Sequence, residues 1–149
     1  MKKFVSLLLA TLVAFSGIAV FAANTEIIIN GQKAVIAEGM GKIVKKDNRT
    51  FVPVRFLLEY LDFKVEWDDE TQTAVGINNN GESFFVQIGN KTLFYFKEDG
   101  RNQEIKEMDV APFLDTKEGR TYVPLRFLAE AMGYLVGWDG KTETVTLAK

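Results

Sequence analysis

Apolar side chains fall at Val54, Leu57, Leu58 and Leu61, the i, i+3, i+4, i+7 spacing of one helix face, and the stripe returns at Leu125, Leu128, Ala129 and Met132. A short β-prone run precedes each stripe, Thr50-Phe51-Val52 and Thr121-Tyr122-Val123, and each run stops at a proline. Pro53 and Pro124 suit the first turn of a helix, where the missing N–H costs nothing. The pattern predicts a strand handing over directly to a short helix, twice. Helices this short do not hold alone in water, so their apolar faces must dock on a sheet. Each fully buried leucine contributes roughly 1.5–3 kcal/mol to that docking.

Beyond each helix the period changes from helical to two. Phe63, Val65 and Trp67 alternate with Lys64 and Glu66, and Tyr134, Val136 and Trp138 repeat the apolar set. Gly133 occupies the left-handed cap position of the second helix; Asp62, a poorer substitute, holds it in the first. Polar turns at 68–71 and 139–142 lead into partner strands over 73–77 and 144–147. Two further hairpins are predicted, one with Asn30-Gly31 between runs at 27–29 and 34–36, the other with Gly89-Asn90 between 84–88 and 92–96.

Sliding the chain by 71 residues sets Arg49 on Arg120, Pro53 on Pro124, Arg55 on Arg126, Glu59 on Glu130, Trp67 on Trp138 and Asp68 on Asp139, with 13 of 27 positions identical between 49–75 and 120–146. The chain therefore reads as one hairpin-strand-helix-hairpin unit written twice, over about 24–80 and 81–149. The expected class is α+β, a curved antiparallel sheet packed around short helices. Each half has too few elements to enclose a core, so the two are expected to form a single domain. Phe56 and Phe127 lie off the main stripes and are expected at the contact between halves.

The amino terminus reads differently. Lys2 and Lys3 precede an apolar run over 4–21 that ends in Val20-Phe21-Ala22, the small-x-small pattern of a cleaved export signal. Cleavage after Ala22 is expected, with a retained anchor as the alternative. A permanent membrane span after cleavage is not expected, and without cysteine neither is a lipidated terminus. Loss of both lysines leaves 16 basic against 20 acidic residues, about −4 at neutral pH. That sign excludes nucleic acid as a natural partner. An exported chain without disulfides relies on its core, as bacterial envelope proteins do.

Histidine and cysteine are both absent, which removes serine–histidine and cysteine–histidine nucleophile systems, ordinary zinc sites and histidine-ligated copper. No catalytic residue, metal ligand or cofactor site is assigned. Asp68 and Asp139 are expected to open tight turns after inward-facing tryptophans. Arg49, Arg55, Arg120 and Arg126 are expected to brace loop carbonyls or carboxylates, Asp68 and Asp139 included. Phe85, Phe94, Tyr95 and Phe96 are the candidates for a surface-binding strip, because only alternate members of those runs can face a core.

The string Arg-Thr-(Phe/Tyr)-Val-Pro-(Val/Leu)-Arg-Phe-Leu-x-Glu, followed by a cap and an alternating strand ending in Trp-Asp, resembles the copper amine oxidase N-terminal-like or stalk domain over 27–147. Asp62 departs from the usual glycine. The resemblance implies a non-catalytic accessory module of exported bacterial proteins, with the oxidase chemistry in a separate domain. The expected role is an envelope-associated interaction or scaffold module meeting an envelope or extracellular protein. The alternative is a module binding neutral glycan or peptidoglycan, which a solvent-facing aromatic platform would favour.

Overall fold

The computed structural model describes residues 24–98 and 100–149. The expected leader, 1–22, lies outside them. Among the described residues no helix is long and apolar enough to cross a membrane. The fold is α+β, largely antiparallel sheets curved around two short helices. The elements are β1 (Glu26–Ile29), β2 (Gln32–Ala34), β3 (Val44–Lys46), β4 (Arg49–Pro53), α1 (Val54–Tyr60), β5 (Phe63–Asp68), β6 (Thr73–Asn78) and β7 (Ser83–Gln87). There follow β8 (Thr92–Phe96), β9 (Gln103–Glu107), β10 (Phe113–Asp115), β11 (Arg120–Pro124), α2 (Leu125–Ala131), β12 (Leu135–Asp139) and β13 (Thr144–Ala148).

The two β-prone runs that end in proline pair with each other. In the sheet β10-β11-β4-β3, Val52 lies opposite Val123, while Phe51 faces Pro124 and Pro53 faces Tyr122. Equivalent residues of the two copies thus meet about a local pseudo-twofold, as in an isologous interface. Phe51, Val52, Tyr122 and Val123 are all at most 1% exposed. Phe113 packs edge-on to Phe51 at 5.1 Å and stacks on Tyr122 at 5.3 Å. The Tyr122 hydroxyl donates to Glu118 Oε2 at 2.9 Å and accepts from the Lys42 amide at 3.4 Å.

Each helix follows its proline and packs on both copies: α1 on β4, β5 and β11, α2 on β4, β9, β11 and β12. Val54, Leu57 and Leu58 are buried from α1, and Leu125, Leu128 and Ala129 from α2. At the end of α2, Gly133 adopts φ +84° and the Tyr134 amide bonds the Ala129 carbonyl at 3.0 Å, the 6→1 bond of a Schellman cap. Asp62 is forced to φ +65° at the matching place. Phe56 is buried in the core beside Tyr60, whereas Phe127 is half-buried and lines a groove shared with β3 and β4.

The hairpins match differently from the pattern expected. The same 71-residue shift sets Gln32 of β2 on Gln103 of β9, so β1–β2 corresponds to β8–β9 and not to the 84–96 hairpin. Sheet order agrees, each sheet joining strands of both copies: β12-β13-β1-β2 in one, β5-β6-β7-β8-β9 in the other. β7 is an inserted strand. It runs antiparallel to both β6 and β8, which leaves β8 parallel to β6, just as β1 pairs parallel with β13. The first strand of the described chain therefore completes a sheet with the last.

Two substitutions test the local geometry. A Cβ at Gly41, where φ is +99°, would lie 2.7 Å from Pro53 and 3.0 Å from the Tyr122 hydroxyl, so Gly41→Ala is expected to cost about 1–3 kcal/mol in denaturant melts. Asp62→Gly relieves a left-handed aspartate and is expected to stabilise by about 0.5–1 kcal/mol in the same measurement.

Candidate functional site

The five-stranded sheet has two apolar faces. Its inner face carries Phe63, Ala74, Phe84, Val86, Leu93 and Tyr95, all buried. Phe84 stacks on Tyr95 at 4.5 Å and meets Phe63 edge-on at 5.4 Å. Burial is the main cause that raises the Tyr95 hydroxyl pKa, and that hydroxyl donates to the Glu82 carboxylate. Tyr95 is therefore a core residue and leaves the expected surface strip: β8 alternates, and Leu93 and Tyr95 take the inward phase.

Phe94 and Phe96 take the outward phase, and Phe85 on β7 joins them. Cross-strand register sets Val75, Phe85, Phe94 and Ile105 in one row over β6, β7, β8 and β9. The next row holds Ile77, Ser83, Phe96 and Gln103. Ile105 is 60% and Ile77 48% exposed, while the three phenylalanines and Val75 are partly covered by one another. Phe85 and Phe96 meet at 86°, so the rings form a corrugated apolar face and no flat platform. Lys64, Glu66 and Asp68 on β5 border one side, Glu107 on β9 another.

Neither tryptophan is the buried core residue expected. Trp67 shares the side of Phe63 and Val65, yet it is 36% exposed, and Trp138 is 45% exposed. Alternation gave the side and not the depth: burial fades along β5 from Phe63 to Val65 to Trp67, as the strand runs out beyond the core. Trp67 Nε1 donates to Asp69 Oδ1 at 2.6 Å. The Lys45 ammonium sits 3.7 Å over the Trp138 ring.

Two of the four motif arginines reach across the copies. Arg49 makes a forked contact to Asp109, with Nε 2.9 Å from Oδ2, and this bond is the first cause holding the Asp109 carboxyl below its usual range. Arg120 donates to the Gly39 carbonyl. Arg55 and Arg126 stay on their own helices, 3.2 Å from Glu59 and 3.6 Å from Glu130. None of the four holds Asp68 or Asp139. Those carboxylates cap their own turns instead: Asp68 accepts from the Glu70 amide at 3.0 Å and the Thr71 hydroxyl at 2.9 Å, Asp139 from the Lys141 amide at 2.9 Å. These bonds lower both pKa values, led by the Thr71 side chain for Asp68 and the Lys141 amide for Asp139.

Among the described residues no group of three or more histidine, cysteine, aspartate or glutamate side chains is placed to hold a metal ion. With no histidine or cysteine in the sequence, the chain has no histidine-based copper site and no nucleophile–histidine pair. No curated protein and no solved structure matches the chain. The family model described as the copper amine oxidase N-terminal domain matches residues 28–147. The chain belongs to the copper amine oxidase N-terminal domain family.

Proposed function

We propose that this protein is a non-catalytic, extracytoplasmic interaction module of the bacterial cell envelope, which docks a protein partner on the outer face of the five-stranded sheet. The in-register row Val75–Phe85–Phe94–Ile105 carries the reading. An antiparallel sheet with one solvated face ordinarily turns polar residues outward, and this one presents apolar residues on four adjacent strands. The row spans roughly 14 Å at the usual strand spacing, wide enough to seat one helix of about 10–12 Å. Tilted rings interleaved with isoleucine and valine fit an apolar protein surface better than the flat face of a sugar. The export signal expected at 1–22 supports the location.

A photo-crosslinking phenylalanine analogue at position 94 of the exported protein is expected to capture one discrete envelope protein. Ile105→Glu is expected to cut that yield about tenfold by placing a charge in the dry contact, with an unchanged melting temperature because Ile105 is 60% exposed. Undiminished crosslinking in Ile105→Glu contradicts the proposal. Retention of the purified protein on isolated wall polysaccharide, lost in Phe94→Ala, would replace the protein partner with a glycan.

A further inference from the structure

The repeated residues converge on two equivalent grooves at the seam between the copies. In one, Trp67, Arg55 and Pro53 of the first copy face Arg120 and Thr121 of the second. In the other, Trp138, Arg126 and Pro124 of the second copy face Arg49 and Thr50 of the first. Every one of these residues maps onto its counterpart by the 71-residue shift. The seam at β4–β11 therefore makes the same groove twice, once on each side of the pseudo-twofold.

Both grooves combine an exposed indole with arginines, and they differ in size and charge. The Trp67 groove encloses about 280 Å³ and is lined by two basic and two acidic side chains, Arg55 and Arg120 against Glu66 and Asp69. The Trp138 groove encloses about 520 Å³ and is lined by four basic side chains, Lys45, Lys46, Arg49 and Arg126, against Asp47 and Asp109. Asp109 is already held by Arg49. The lining is net positive on a chain of formal charge −2, with Glu130 beside Arg126 and Glu143 acting on Lys45 from outside the lining.

We infer that the Trp138 groove binds an acidic saccharide, a chain of pyranose rings bearing carboxylates. The volume lies within the ordinary range for small-ligand sites, about 300–1,000 Å³. An indole face is electron-rich and attracts the C–H edge of a pyranose, which supplies the apolar half of the recognition. The charged half comes from the guanidinium and ammonium groups beside it. Arg126 has one long contact, 3.6 Å to Glu130, so most of its five donors remain for a carboxylate, which the planar fork binds in bidentate fashion. The Lys45 ammonium covers one face of the Trp138 ring, 3.7 Å from its centroid, so a pyranose stacks by displacing it, and the freed ammonium then meets the sugar's carboxylate. The Trp67 groove has the same plan without the excess charge and binds the same saccharide more weakly. This inference is independent of the outer sheet face, whose residues it does not use.

Isothermal titration of the purified protein with a galacturonic acid hexamer tests it. The hexamer is expected to bind saturably, about tenfold or more tighter than the same hexamer with its carboxyls methyl-esterified. Trp138→Ala and Arg126→Gln are each expected to weaken binding by about tenfold, Trp67→Ala by less than about threefold, and Trp138→Phe to keep most of the affinity. The exposed ring allows these variants to fold, and circular dichroism checks that they do. No binding at millimolar hexamer, equal binding of the ester, tighter binding of hexaglutamate, or an unchanged affinity in folded Trp138→Ala each overturns the inference.

Discussion

Val52 and Val123 sit opposite one another in the β4–β11 pair, and the rest of the molecule is arranged around that contact. The strands that meet there are the two copies of one sequence, so pairing them brings Pro53 and Pro124, and the helices each begins, to opposite ends of the same ladder. α1 then packs on β11 and α2 on β4, each helix covering the other copy's strand as well as its own. Arg49 and Arg120 add reciprocal contacts to Asp109 and to the Gly39 carbonyl, which lie in the other copy between β9 and β10 and between β2 and β3. These exposed charge contacts are worth little alone, and the stabilisation lies in the buried Phe51, Val52, Tyr122 and Val123.

Much of this was legible in the sequence because helix periodicity, proline at the strand end and glycine at the cap are local signals. The two helices begin one residue after the predicted prolines, and Gly133 takes the left-handed conformation its position implied. Long-range pairing was not legible. The 84–96 run reads as a hairpin, and it is one, yet β7 is an insertion and β8–β9 is the true counterpart of β1–β2. The six-residue connection over 97–102 hid that match, where β1 and β2 are joined by Asn30-Gly31 alone.

The candidate site was half legible for a related reason. Runs such as Leu93-Phe94-Tyr95-Phe96 are apolar in both phases, so alternation says that one phase faces out without saying which. The register against β7 and β9 decides it, sending Tyr95 to the core and Phe94 and Phe96 outward. For Trp67 and Trp138 the phase was right and the depth wrong, since period two carries no information about where along a strand the core ends. That error matters for function. It adds to the corrugated apolar face of the phenylalanines two exposed indoles beside the repeated arginines.

Native-state hydrogen exchange tests most directly whether the β4–β11 seam makes the two copies one cooperative unit. The amides of β4, β11, β1 and β13 are predicted to exchange with a single free energy equal to that of global unfolding, because β1 of the first copy is paired with β13 of the second. Separate exchange of 24–80 and 81–149, with different free energies and an early opening of β1 from β13, would contradict it.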